Sequence, residues 1–285
     1  LVPGRRRHPG QDGPTLTMIL FCVDIGNTHT HFGRVSRDGA ERMQSMPSGA
    51  LTTTDHPILE QLRRESVSAD GITGFSCCSV VPDLTTALHD QVARLRPELP
   101  RFQLTDQVEL GFPLSRPLPS GVGQDRLANA VAAEALYGAP AIVVDSGTAV
   151  TSDVITPDGG FEGGIIAPGH DLMRNSLHEK TAQLPRIDDD SASLKTIGRS
   201  TVEAMQIGCR VGFRGMVAAL VAAQRAELAT RGLDPVPLVL TGGSADRLAS
   251  LIKEDADLIP DLTLRGLYQA FVLARTKGKR FPTDS

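Results

Sequence analysis

An Asp-x-Gly signature occurs twice in the chain, each time at the end of an apolar run. Ile19-Leu20-Phe21-Cys22-Val23 leads into Asp24-Ile25-Gly26-Asn27-Thr28, and Ala141-Ile142-Val143-Val144 leads into Asp145-Ser146-Gly147-Thr148. Short apolar runs bounded by Gly read as buried strands. A strand that ends in a carboxylate and turns through Gly into Thr exposes backbone N–H groups at the bend, where they suit phosphate oxygens. The repetition constrains the fold to two similar half-domains facing one cleft. Each half brings a carboxylate for a cation and a tight turn for a phosphate, which points to ATP chemistry.

The 285 residues leave room for one large or two ordinary domains. A hydrophobic content of 40% with dispersed Gly and Pro fits a globular α/β protein. A formal net charge of -4 supplies no global basic field for nucleic acid. The four cysteines, Cys22, Cys77, Cys78 and Cys209, form no Cys-x-x-Cys pair and have no His at zinc-finger spacing. They read as reduced thiols of a cytoplasmic protein. No apolar run approaches the ~20 residues of a membrane helix, so no membrane span is expected. Residues 1–17, rich in Gly, Pro and Arg, read as a disordered extension or a misplaced start ahead of Met18. Arg5-Arg6-Arg7 suits a solvated tail better than a nucleic-acid contact.

Along the chain, strands are expected at 19–25, with a return strand at 31–35, and at 74–81. A helix is expected over 51–65, and another is capped by Asp83 and runs to Leu95. Residues 97–122, rich in Pro and Gly, are expected to wrap the surface. A helix over 125–137 carries Ala128, Ala130, Ala132 and Ala133, small residues that permit close packing. Gly138 and Pro140 end it, which puts the division between an 18–139 half and a 140–276 half. The second half continues with a hairpin, a Gly-rich stretch (159–169), a helix (170–181), an acidic loop (188–190) and a long helix (200–228). Gly208, Gly212 and Gly215 in that long helix suggest tight helix packing. A late strand, 237–240, enters Thr241-Gly242-Gly243, and residues 277–285 form a frayed tail.

The chemistry-bearing residues follow from the turns. Asp24 repels phosphate, so its natural partner is magnesium, held through water because magnesium dehydrates reluctantly. Taken alone, Asp24 also fits a hairpin turn in which it bonds its own backbone. In the second unit Gly147 lets the backbone approach a ligand closely, Thr148 can bond a phosphate and Asp145 can hold a cation. Asp153 is either a third carboxylate or a hairpin-exit Asp. Thr241-Gly242-Gly243 suits an adenosine platform or an ordinary strand-to-helix loop. Gly121-Val122-Gly123-Gln124-Asp125-Arg126 opens a helix. There Arg126 suits a carboxylate-bearing substrate and Asp125 suits an attacking hydroxyl, unless Asp125 is only a helix cap. His29 and His31 stand as a His-x-His pair without further ligands in sequence, and His178 reads as a surface residue.

These segments, in this order, resemble the type III pantothenate kinases of the acetate and sugar kinase/Hsc70/actin superfamily. The resemblance spans about Ile19 to Phe271. It is carried by Asp24-x-Gly-Asn-Thr28, Gly123-x-Asp-Arg126, Asp145-x-Gly-Thr-Ala-x-Thr151, Gly163-Gly-x-Ile-x-Pro-Gly169, Thr181-Ala-x-Leu-Pro185 and Thr241-Gly-Gly243. It implies duplicated ribonuclease-H-like (actin-like ATPase) α/β domains with the nucleotide cleft between them. It also implies transfer of the γ-phosphoryl of ATP to the primary hydroxyl of pantothenate, the first step of coenzyme A biosynthesis. By the same resemblance Asp24, Ile25, Gly26, Asn27, Thr28, His29, Thr30 and His31 form the first phosphate turn and Thr148 also meets ATP, while Gly242 and Gly243 are expected at ATP from the platform reading above. Gly123, Gln124, Asp125 and Arg126 hold pantothenate, with Asp125 as proton acceptor and Thr181 as a further substrate contact. Asp145 binds a monovalent cation, potassium or ammonium, and the family works as a homodimer. One position departs from the pattern: Arg116 stands where the family usually has Tyr, and it could pair with the pantothenate carboxylate or point away. Two other readings are a sugar or carboxylate kinase of the same superfamily and a nucleotide-binding regulator without catalysis. The presence of Asp24, Asp125 and Asp145 favours catalysis.

Overall fold

Strand β1 (Leu20–Ile25) lies at the centre of a five-stranded sheet. It pairs antiparallel with β2 (His29–Ser36), which pairs antiparallel with β3 (Gly39–Pro47). On its other edge β1 runs parallel to β4 (Gly74–Ser79), and β4 runs parallel to β5 (Arg101–Gln103). The second sheet repeats this plan. Strand β6 (Ala141–Ser146) pairs antiparallel with β7 (Ala149–Thr156), and β7 with β8 (Gly160–Pro168). On its other side β6 runs parallel to β9 (Leu238–Thr241), and β9 to β10 (Asp257–Leu258). The strand orders β3-β2-β1-β4-β5 and β8-β7-β6-β9-β10 are therefore the same topology used twice, the duplicated ribonuclease-H-like arrangement. This computed structural model describes residues 18–65, 71–107, 121–158, 160–188, 196–252 and 255–278. The 1–17 extension, Arg116, most of the acidic loop and most of the 277–285 tail lie outside them.

Side-chain alternation sets three cores. Phe21, Val23 and Ile25 face outward against helices α1 (Pro57–Glu65) and α2 (Pro82–Leu95). Ile142, Val144, Leu238 and Leu240 face outward against α5 (Thr201–Thr230) and α6 (Ala245–Leu251). Leu20 and Cys22 of β1 and Ala141 and Val143 of β6 face a third, central core with α3 (Gln124–Tyr137) and α7 (Leu262–Thr276). Because strand side chains alternate with period two, Asp24 follows Leu20 and Cys22, and Asp145 follows Ala141 and Val143. Both carboxylates are thus delivered to the central layer at the ends of their strands. The remaining helix, α4 (His170–Glu179), follows β8 directly and packs on α5.

Several expected elements differ. The 51–65 helix divides into a 3₁₀ turn (Ser48–Thr52) and α1, because Pro57 starts the second piece. Helix α2 begins at Pro82 with Val81 as N-cap, and Asp83 makes no capping bond. The Gly-rich stretch up to 169 is strand β8, since backbone pairing with β7 needs no side chains and Phe161 anchors it in the core. Part of the supposed surface wrap is β5, whose Phe102 packs edge-on to Phe271 at 6.0 Å. Helix α7 was not anticipated at all: it lies in the second half of the chain, yet it packs on β1, β4 and α3.

The long helix also departs from expectation. Among the described residues, no other element comes within 4 Å of an ideal Cβ on Gly208, Gly212 or Gly215 of α5, so these glycines pack against no neighbouring described helix. By length and composition α5 is apolar enough to cross a membrane, although Arg210 and Arg214 interrupt it and its stripe of Phe213, Val217 and Val221 covers the second sheet. The tight helix contact is instead α3 on α7, where a Cβ on Gly266 would collide with the Ala128 carbonyl. Gly266→Ala is expected to destabilise by about 1–3 kcal/mol, as overpacking against immobile backbone does. A lowered urea midpoint with an unchanged slope would bear this out.

Candidate active site

The two strand-end turns meet. In the first, the Gly26 N–H donates to the His29 carbonyl at 3.1 Å, and in the second the Gly147 N–H donates to the Ala149 carbonyl at 2.9 Å. Both turns then place a threonine at the cleft, and the Thr28 and Thr148 hydroxyls lie 3.3 Å apart. Ser48, buried below the first turn, braces it. Its hydroxyl donates to the Gly26 carbonyl at 2.7 Å, and its N–H donates to the Thr28 carbonyl at 3.0 Å. Asn27, Thr28 and His29 are exposed at this turn, whereas the Ile25 and Thr30 side chains are buried. Ile25 and Thr30 can therefore offer a ligand only their backbone. Burial, with help from the neighbouring His29, lowers the His31 pKa.

Four carboxylates share the floor between the turns. Burial is the main cause that pushes Asp24 up to about 8; the charges of Asp125 and Asp145 add to it, and a hydrogen bond from the Cys78 thiol at 3.3 Å opposes it. Burial likewise pushes Asp145 up to about 6, against a hydrogen bond donated by the Asn129 amide at 2.9 Å. Asp153, also pushed to about 6 by burial, is held by Arg126, whose Nε lies 2.9 and 3.2 Å from its two oxygens and whose Nη2 also donates to Oδ1. The charge of Asp125 raises all three.

Helix α3 brings Asp125 to this floor. Its N-cap is Gly123, not Asp125, whose Oδ1 accepts the Arg126 N–H at 2.8 Å. The Gln124 amide oxygen accepts the Ser79 N–H at 3.1 Å, which ties the start of α3 to the end of β4. Arg126 is engaged rather than open: besides Asp153 it stands 5.7 Å from the Phe161 ring centroid. Asp153 is correspondingly a buried mid-strand residue of β7, not a hairpin-exit Asp.

The third segment is the loop after β9. Gly242 has φ +95°, and a Cβ there would collide with Asp145 Oδ1. The Ser244 N–H donates to the Ser146 carbonyl at 2.8 Å, so this loop is built onto the second turn, with exposed Gly243 at its tip. Thr181 stands apart. It is exposed, donates to the Leu177 carbonyl at 2.7 Å and accepts the Leu184 N–H at 3.3 Å.

Among the described residues no cluster of three or more His, Cys, Asp or Glu is preformed for a metal. What the floor does offer is oxygen. The buried hydroxyls of Ser146, next to Asp145, and of Thr241, paired with Asp145 across β9, have no hydrogen-bond partner among the described residues. Such hydroxyls beside half-buried carboxylates fit a hard cation that keeps part of its water. Sequence reasoning missed Ser48, Cys78 and Asn129. Only Asn129 carried a signal, four residues after Asp125 and so on the same helical face.

The type III pantothenate kinase family model matches residues 20–223. A type III pantothenate kinase of Akkermansia muciniphila is 43% identical over 250 residues, covering 88% of this chain and 97% of that protein. One of Streptomyces griseus is 37% identical over 267 residues, covering 87% and 96%. Among solved structures, a Campylobacter jejuni protein described as a Baf family transcriptional activator superposes with a TM-score of 0.56 at 19% identity. It covers 91% of this chain and 100% of that one, and the likeness concerns the fold alone.

The carboxylate floor has a consequence for stability. A carboxyl whose pKa is higher folded than unfolded binds more protons in the folded state, so stability is lost as pH rises between the two values. For Asp24 that window runs from its ordinary 3.8 to about 8. Without divalent or potassium ions, the melting temperature is expected to fall from pH 5 to pH 8.5, with a shallower fall in Asp24→Asn. Calorimetry in a chelating, choline-based buffer measures both slopes.

Proposed function

Because the chain belongs to the type III pantothenate kinase family and phosphorylates pantothenate with ATP in the first step of coenzyme A biosynthesis, we propose that its two turns and helix α3 divide this transfer between them. The observation that carries the division is the approach of Thr28 and Thr148 above a floor formed by Asp24, Asp125 and Asp145. The first turn, through the backbone around Gly26 and Asn27 and the Thr28 hydroxyl, binds phosphate oxygens of ATP. Thr148 binds from the opposite side, and Gly242-Gly243 lies against the adenosine. Asp24 holds magnesium through water and Asp145 holds potassium or ammonium. When bound, these cations neutralise charge on the phosphates and on the carboxylates.

Asp125 accepts the hydrogen bond of the pantothenate hydroxyl, orients it at the γ-phosphorus and takes its proton as the bond to phosphorus forms. Phosphoryl transfer through a loose transition state rests on positioning and charge neutralisation, so a weak base suffices. Gly123 and Gln124 shape the pantothenate side. Arg126, held by Asp153, keeps one positive charge among the carboxylates and is the cationic group on α3 for the substrate carboxylate. A regulator without catalysis would be free to lose one of Asp24, Asp125 and Asp145, and all three are present.

Thr181 completes the substrate site from a second copy of the chain. The exposed face of α5 supports this assembly: Val202, Gly208, Val211, Gly212 and Gly215 are open to solvent on an apolar helix, with exposed Leu172 on the adjacent α4. Cys22, Cys77, Cys78 and Cys209 are buried and unbridged, which suits a cytoplasmic setting. Nothing in this reading calls for nucleic acid or a membrane.

Asp125→Asn is expected to lower kcat by about 10²–10⁴-fold while ATP binding persists. Coupled ADP-release kinetics with calorimetric ATP titration test that, and a loss under tenfold would demote Asp125 to a structural role. Gly212→Arg is expected to convert a dimer to a monomer in sedimentation velocity and to raise the KM for pantothenate. A wild-type chain that sediments as a monomer would remove the shared-site reading.

A further inference from the structure

Asn129 is fully buried, and both ends of its amide are engaged. It lies one turn beyond Asp125 on α3, so the two residues share a helical face. Its Nδ2 donates to Asp145 Oδ2 at 2.9 Å, and its Oδ1 accepts the Thr263 hydroxyl at 2.8 Å. These two bonds fix the amide one way round, because the reverse orientation would set a carbonyl oxygen against a carboxylate. Thr263 is in the first turn of α7, and Gly266, three residues on, backs against the Ala128 carbonyl. The donor of the relay is therefore held on a helix packed backbone to backbone against α3.

An apolar residue at 129 would fill the same interior without needing two partners. What Asn129 adds is control of a carboxylate. Asp145 ends a strand, and its carboxylate plane can rotate unless one oxygen is held. With Oδ2 held by Asn129, Oδ1 is left beside Gly242 in the nucleotide loop. We propose that Asn129 is a positioning residue, oriented by Thr263, that sets the Asp145 carboxylate for the monovalent cation; this rests on the reading of Asp145 given above. The relay Thr263–Asn129–Asp145 then joins α7, the substrate helix α3 and the cation carboxylate in one line of hydrogen bonds.

The test uses the full chain and potassium itself. Melting temperature is titrated with potassium chloride against choline chloride for the wild type, Asn129→Ala, Thr263→Val, Thr263→Ser and Asp145→Asn, with kcat and the KM for pantothenate measured alongside. Loss of a residue that orients a metal ligand typically weakens metal affinity about 10–100-fold. Asn129→Ala and Thr263→Val are expected to raise the half-saturating potassium concentration by about tenfold or more and to lower kcat, with little change in KM. Thr263→Ser, which keeps the hydroxyl, restores the wild-type response. If Asn129→Ala does not fold, the Thr263 pair decides. A potassium response unchanged in Thr263→Val but lost in Asp145→Asn overturns the positioning role and leaves the cation reading standing. A wild type that does not respond to potassium, or an Asp145→Asn variant that still responds fully, removes the cation reading and the proposal with it.

Discussion

Asp24, Asp125, Asp145 and Asp153 share one interior floor, where the Arg126 guanidinium is engaged with Asp153. Charged groups at such depth are costly unless paired, and the chain meets that cost in three ways. Asp153 is paired with Arg126. Asp24 and Asp145 each accept one hydrogen bond, from Cys78 and Asn129, and both have raised pKa values. What remains is a deficit of positive charge at the point where the two turns meet. A kinase site that takes ATP with a divalent cation turns that deficit to use: the folded chain carries the unbalanced charge, and a bound cation offsets it.

The same constraint explains the central layer. The carboxylates reach the floor only because β1 and β6 end there with matching alternation, and the layer between the sheets must hold helices close enough to meet them. Small residues make this possible: the alanines of α3 and Gly266 of α7 bring two helix backbones into contact. α7 closes the layer from above and, through Thr263 and Asn129, reaches the second carboxylate. α5, by contrast, serves the outer face of the second sheet and leaves its glycines open.

Much of this was legible in the chain. The two Asp-x-Gly-(x)-Thr units, their apolar run-ins and the twofold plan follow from local patterning, because a buried strand and a Gly turn are short-range features. α3 was legible from its alanines and its Gly-Pro end. α7 was not, because its apolar residues lie nearly all round the helix and give no clean amphipathic stripe. The Gly-rich β8 was hidden for the opposite reason, since its pairing is made by backbone and leaves little side-chain pattern. The small residues of α3 and α5 looked alike in sequence and turned out to face a neighbouring helix in one case and open space in the other.

The site divides in the same way. The sequence by itself determined which residues could carry chemistry, Asp24, Thr28, Asp125, Asp145 and Thr148, because strand ends, turns and a helix start place them locally. Only the tertiary structure decided their partners. Cys78 meets Asp24 from 54 residues away, Thr148 meets Thr28 from 120, and Thr263 meets Asn129 from 134. Hydrogen-bond partners at such separations leave no periodic trace in a single chain, since they depend on how sheets and helices stack. That stacking also engaged Arg126 with Asp153, made Asn129 the brace of a carboxylate, and left Thr181 with only local bonds of its own.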